Sequence, residues 1–247
     1  MILVVHVGGS RMKWALAGPR GWMAQGVTPN AEIGTLALRE WQNLPRPARA
    51  IGLNVAGEAA RVRTEAQTTR WRVGIEWVVP TTEAGGVVNR YGDPSQLSPA
   101  RWASLVASRR RALAAGSSPP PCVVVNAGTQ ISADALDADG VFRGGIVLPG
   151  PRAMLAALGG AAAPGRAPSG RWHPFPVTNA DAAATGVIAA ASGAIERVRG
   201  WLAEDGVAVS CYVTGGAATE IAPHLAGPWE VVDNLVLEGA LVLADAT

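Results

Sequence analysis

One pattern occurs twice in this chain: an apolar run, a turn of small residues with a hydroxyl, and a second run able to pair back on the first. It stands at His6-Val-Gly-Gly-Ser10-Arg-Met-Lys13-Trp and again at Asn126-Ala-Gly-Thr129-Gln-Ile-Ser-Ala-Asp134. Two copies of one opening, in the two halves of a 247-residue chain, constrain the fold to an internal duplication in outline. Apolar runs bounded by turn residues predict strands at 2–7, 14–17, 50–55, 75–79, 122–125, 131–137, 207–214 and 230–232. Helical spacing falls between them, at 33–42, 58–69, 99–115, 151–158, 179–203, 217–225 and 235–243. Strands alternating with helices define an α/β fold. The breaker cluster Ala115-Gly-Ser-Ser-Pro-Pro-Pro121 predicts a boundary, giving halves of 1–116 and 117–247, and a second Pro/Gly-rich loop is expected over 164–176.

Composition narrows the function classes. Apolar residues make up 49% and charged ones 16%, so the chain can bury a core and is not a charge-expanded disordered one. Of 21 basic residues only Lys13 is a lysine, and a net charge of +2 is far from the basic surface that tracks phosphate backbones, so nucleic acid is not an expected partner. Arg109-Arg110-Arg111 reads as a solvated helix end. No apolar stretch is long enough to span a bilayer. The opening Met1-Ile-Leu-Val-Val has no basic leader and reads as a first strand, so a cytoplasmic location is expected, with no membrane partner. Cys122 and Cys211 sit inside apolar runs and read as buried thiols, and no Cys/His spacing suggests a metal. Trp14, Trp71, Trp77 and Trp102 are expected in the core, Trp172 at the surface, and His224 exposed.

A turn that carries Gly with Ser or Thr directs backbone N–H groups and a hydroxyl to one point, which is how a phosphate is cradled. Taken singly, each such turn reads more simply as a tight hairpin. Together the turns and their neighbours resemble the type III pantothenate kinase and Bvg accessory factor family, of the actin-like ATPase superfamily. His6-Val-Gly-Gly-Ser-Arg11-Met-Lys13 resembles its first phosphate loop, Asp-x-Gly-Asn-Thr/Ser-Arg-x-Lys. Asn54-Val-Ala-Gly57 is similar to its Asn/Ser-Val turn. Tyr91-Gly-Asp-Pro94-Ser-Gln96-Leu97-Ser-Pro-Ala100-Arg101-Trp102 resembles the catalytic segment Tyr-x-x-Pro-x-Gln-Leu-Gly-x-Asp-Arg-Trp. Residues 126–134 resemble the second phosphate loop, Gly144-Gly-Ile-Val-Leu-Pro149-Gly150 the substrate-side glycine loop, and Thr214-Gly215-Gly216 the adenosine-side turn.

The resemblance implies an actin-like ATPase (ribonuclease H-like) fold, two similar α/β halves facing a cleft, and a homodimer. It implies phosphate or nucleotide contacts from His6, Gly8, Gly9, Ser10, Lys13, Gly128, Thr129, Gly215 and Gly216. It implies pantothenate, or a related small molecule, held by Tyr91, Gly144, Gly145, Pro149, Gly150 and Asn179, with Ala100 at the base position and Arg101 as a catalytic residue beside it. An active member would use ATP, Mg²⁺ and a monovalent cation, K⁺ or NH₄⁺, to carry out the first step of coenzyme A biosynthesis.

The departures fall on chemistry. The family's general base is replaced by Ala100, and a methyl group cannot accept a proton. His6 stands for an Asp and Gly9 for an Asn in the first loop, while Asn126 opens the second loop in place of Asp. An imidazole does not replace a carboxylate as a ligand for a hard cation, so no metal-binding residue is expected. Asn179 falls where the family tends to have Thr. Turn and packing residues meanwhile remain. The expected function is therefore a catalytically impaired homologue, a pseudokinase with an accessory or regulatory role and possible loss of every cofactor. Two alternatives stand beside it: an active ATP-dependent pantothenate kinase whose base and metal ligands come from elsewhere in the chain, and a pocket repurposed for another small molecule.

Overall fold

The computed structural model describes residues 1–116, 118–160, 170–203 and 206–245. The chain divides into two compact units, one of residues 1–111 with 234–247 and one of residues 112–233. In the first, β1 (Ile2–Val7), β2 (Arg11–Gly18) and β3 (Gly21–Pro29) form an antiparallel meander, and β4 (Arg49–Asn54) and β5 (Ile75–Trp77) add in parallel on the far side of β1. The sheet order is β3-β2-β1-β4-β5. Helix α1 (Glu58–Thr68) makes the crossover from β4 to β5, after a 3₁₀ segment at Asn30–Leu38. The short hairpin β6 (Glu83–Ala84) with β7 (Val87–Asn89) leads to helix α2 (Pro99–Ala115).

The second unit repeats the plan. Strands β8 (Cys122–Ala127), β9 (Gln130–Leu136) and β10 (Val141–Pro149) form the meander, and β11 (Ser210–Thr214) and β12 (Trp229–Val231) run parallel to β8. These five strands stand in the order β10-β9-β8-β11-β12. Helices α3 (Pro151–Gly160) and α4 (Asn179–Leu202) follow the meander, and α5 (Ala218–Ile221) lies between β11 and β12. The final helix α6 (Leu235–Asp245) belongs to the first unit. The duplicated opening seen in the sequence is therefore the first hairpin of each meander.

The cores follow from apolar periodicity. In the first unit Leu3, Val5 and Val7 of β1 pack with Trp14, Ile33, Leu36, Trp41 and Trp71. Trp14 meets Trp41 edge-on with ring centroids 6.0 Å apart, and Trp41 lies 5.6 Å from Trp71. In the second unit Val123, Val125, Ile131 and Ala133 pack with Ile188, Ala191, Ile195 and Val198 of α4. Cys122 and Cys211 are buried free thiols, and burial pushes the Cys211 pKa up to about 12, which leaves it unreactive. Among the described residues no helix is long and apolar enough to cross a membrane.

Several sequence expectations need correction. Strand β3 escaped notice because it is an edge strand with Gly26 inside it, a residue required because a Cβ there would meet the Trp14 ring at 2.7 Å. Gly144 and Gly145, expected in a loop, lie within β10, where a bulge between Phe142 and Gly144 and a φ of +118° at Gly144 bend the strand. The helix expected at 33–42 is a 3₁₀ segment. His224 is half-buried and stacks on Trp172 with centroids 4.5 Å apart. Arg111 is only partly exposed and holds Glu238 of α6. Of the loop expected at 164–176, residues 164–169 lie outside the described residues.

Candidate functional site

The first unit gathers one set of turns at the C-terminal ends of its parallel strands. The Gly8-Gly9-Ser10 turn closes with the Gly8 N–H donating to the Arg11 carbonyl at 3.0 Å. Asn30, at the end of β3, clamps it from the side: its Nδ2 donates to the Gly8 carbonyl at 2.8 Å and its backbone N–H to the Ser10 carbonyl at 3.1 Å. The Asn54-Val-Ala-Gly57 turn is tied to the same edge by the Val55 N–H, which donates to the Val7 carbonyl at 2.9 Å. Asn54 is spent on that turn, accepting from the Ala56 N–H and donating to the Gly57 carbonyl. Sequence reasoning missed Asn30, whose only signal is its place after Pro29 at a strand end.

His6, one residue before the end of β1, stands directly opposite Lys13 of β2. Its Nε2 is closed off from water and has no hydrogen-bond partner. Burial, with the Lys13 charge as a lesser cause, pushes its pKa down to about 4, so the imidazole is neutral at pH 7.

The segment 89–102 forms a second group in the same unit. Asn89 donates through Nδ2 to the Thr81 and Pro94 carbonyls and accepts from the Tyr91 N–H at 3.1 Å. Arg101 donates to the Tyr91 hydroxyl at 3.2 Å, and its guanidinium lies 5.8 Å from the Tyr91 ring centroid. Ser98 caps α2, its Oγ accepting from the Arg101 N–H at 3.3 Å, and Pro99 takes the first helical position, which suits its fixed φ. Ala100 follows in the first turn, only 8% exposed. Asp93 is no substitute base. It caps the 3₁₀ turn at Pro94–Gln96, accepting from the Ser95 hydroxyl at 2.7 Å and the Ser95 N–H at 3.0 Å, and these bonds hold its carboxyl below the usual range.

In the second unit three glycine turns converge. The Gly128 N–H donates to the Gln130 carbonyl, the Gly150 N–H to the Thr129 carbonyl and the Ala217 N–H to the Ala127 carbonyl, each at 2.9 to 3.0 Å. Glycine is needed at two of these points. A Cβ at Gly150 would lie 2.2 Å from the Gly128 carbonyl oxygen, and Gly215 has φ +104° with a Cβ position 2.4 Å from the Ala127 oxygen. Below the turns, Asn126 donates to Ser132 at 3.4 Å and Ser132 to the fully buried Asp134 at 3.0 Å. Gly145 packs directly on Asp134. Asn179 stands apart from this group. It is exposed at the start of α4, where Thr178 caps the helix by accepting from the Asp181 N–H. Among the described residues no three His, Cys, Asp or Glu side chains cluster to hold a metal ion.

The same five-strand plan in both units, with glycine turns at the ends of the strands, defines an actin-like fold. Solved structures agree. A Baf family protein from Campylobacter jejuni, described as a transcriptional activator, superposes with a TM-score of 0.60 over 98% of each chain at 16% identity. The inorganic polyphosphate/ATP-glucomannokinase of an Arthrobacter strain gives 0.52 over 99% of this chain and 98% of its own at 12% identity. The family described as type III pantothenate kinase matches residues 2–200. Curated type III pantothenate kinases of Acidovorax ebreus and Leptothrix cholodnii are 39% and 41% identical, each over 98% of this chain and 95% of their own length. The chain belongs to the type III pantothenate kinase family.

Proposed function

We propose that this chain is a type III pantothenate kinase homologue impaired in phosphoryl transfer, a cytoplasmic homodimer with an accessory or regulatory role. The first loop at Gly8–Ser10 in one unit and the glycine turns at Gly128, Gly150 and Gly215 in the other would each offer contacts to the phosphates of ATP. The family's substrate, pantothenate, would lie by Tyr91 and Arg101. There the Arg101 guanidinium, held by the Tyr91 hydroxyl, offers a fixed positive charge to a carboxylate.

One observation carries the reading: the position of the family's base is Ala100, whose side chain has no proton acceptor, and the nearest carboxylate in the segment, Asp93, is committed to a cap. Loss of a general base alone costs roughly 10² to 10⁴ in rate. Mg²⁺, which the family implies, does not fit the first loop either. Position 6 offers an imidazole nitrogen, Asn30 one neutral oxygen, and residues 1–31 contain no Asp or Glu at all. A small hard cation wants an octahedral shell of oxygens.

The second reading is an active ATP-dependent pantothenate kinase serving coenzyme A biosynthesis. Identity of about 40% along nearly the whole length of curated kinases supports it, and supports it more directly than it supports an impaired protein. Purified protein assayed for pantothenate-dependent ATP turnover separates the two. No turnover is expected; a rate of about 1 s⁻¹ or more, ordinary for a kinase, establishes the second reading.

A further inference from the structure

The meander that carries the first loop holds Arg11, Lys13 and Arg20 and no acidic residue up to Glu32. At the end of β1 this one-signed stretch meets three features that favour a negative ligand. The Gly8-Gly9-Ser10 turn leaves Gly9 and Ser10 exposed. Helix α1 opens on Gly57, with φ +87° and no side chain capping its first N–H groups, just after the Asn54 turn that is in register with Val7. An uncapped helix start attracts anions. The third feature is His6. Its buried Nε2 has no hydrogen-bond partner, an unfavourable state for a polar atom. A neutral ring protonated at Nε2 offers one donor, and a ligand oxygen would satisfy it. The acid in the first turn of α1, Glu58, is exposed and faces Arg61 at 3.9 Å.

We propose that this loop takes a phosphate or polyphosphate group directly, through His6, Lys13 and backbone N–H groups, with no divalent cation bridging it. The proposal rests on reading the loop as a phosphate loop, and goes beyond that reading in assigning the mode of binding. Where a carboxylate holds a cation against the phosphates, removing the cation leaves two negative groups facing each other and binding weakens. In this chain the facing groups are neutral or positive, so the cation only masks charge that the loop would otherwise use.

Titration calorimetry on the full chain tests this, with ATP, tripolyphosphate, inorganic phosphate and adenosine as probes, each with EDTA and with Mg²⁺. ATP or tripolyphosphate is expected to bind in EDTA with affinity equal to, or above, that in Mg²⁺. Tripolyphosphate as tight as ATP marks a polyphosphate site; ATP alone marks a nucleotide site. His6→Asp should weaken EDTA binding about tenfold or more, a loss of about 1.4 kcal/mol, and regain it with Mg²⁺. His6→Gln, neutral and still a donor, should keep cation-free binding and controls for folding. Binding by the wild type only with Mg²⁺, absence of phosphate-dependent binding, or adenosine binding as well as ATP each overturns the proposal. Turnover with pantothenate decides the impaired reading separately: a turning-over enzyme that still binds ATP in EDTA removes that reading and leaves this one.

Discussion

His6 and Lys13 face each other across the β1–β2 pair, an imidazole opposite an ammonium where the family pattern would put a carboxylate opposite it. Burial disfavours a charge on the imidazole, and the Lys13 ammonium opposite adds to this, so His6 folds in its neutral form with a pKa of about 4. The sign of the linkage follows. The unfolded chain binds a proton near the ordinary value of 6.5 and the folded chain does not, so stability is full above 6.5 and falls as pH drops toward 4. At pH 5 the loss from this group is about 2 kcal/mol. Urea midpoints at pH 7 and pH 5 should show it, and His6→Gln should remove that part of the difference. An equal pH dependence in the variant assigns the effect to other groups.

Much of this architecture was legible in the residues. Continuous apolar runs, such as Cys122–Ala127 and the buried stretch 102–108 of α2, announce themselves because they are bounded by turn residues and buried at nearly every position. Strand β3 and strand β10 did not, for opposite reasons. The first is an edge whose outward positions include Met23 and Val27, so no clean alternation marks it. The second carries two glycines that read as a turn but serve a bulge and the close approach to Asp134. The site was legible where turn chemistry is local, as at Gly128 and Gly215. Asn30 was invisible, because its role is a clamp on Gly8 and Ser10 made twenty residues away in sequence.

Gly150 and Gly216 make a contrasting pair. A methyl group at 150 would collide with backbone atoms of Gly128 and Thr129, which cannot turn aside as a side chain could, whereas position 216 has open space. Gly150→Ala should cost about 2–3 kcal/mol and distort the 128–129 turn. Gly216→Ala should stay within about 0.5 kcal/mol of wild type. Chemical denaturation of both variants checks the contrast, and equal stability would show that the 128–129 turn yields more readily than its hydrogen bonds suggest.

The forked pair between Arg111 of α2 and Glu238 of α6, with bonds of 2.7 and 2.8 Å, joins two helices distant in sequence. Both side chains are about one-third exposed, so water screens part of the attraction. Arg111→Ala and Glu238→Ala should each cost about 1 kcal/mol, and the double variant less than their sum. A strictly additive cycle would mean that the pair contributes packing only.

The reversion of the base asks how far this chain stands from its relatives. The Ser98 cap and Pro99 at the first helical position leave α2 intact, so Ala100→Asp enters an ordinary first turn, where a carboxylate is favoured by the helix dipole. Position 100 is nearly buried, and desolvation opposes that gain, so the variant should keep a stability within about 1 kcal/mol of wild type. Activity is a different matter. A base helps only when phosphoryl donor and acceptor are already aligned, and the first loop still has His6 and Gly9 where an Asp and an Asn belong in the family pattern. Ala100→Asp alone should therefore recover little pantothenate phosphorylation, while Ala100→Asp with His6→Asp and Gly9→Asn should exceed the product of the separate effects, because catalytic residues act as a unit. Steady-state assays of the single, double and triple variants measure this. If Ala100→Asp alone restores most of a normal rate, the phosphate sites were intact throughout, and a single substitution separates this chain from a working kinase.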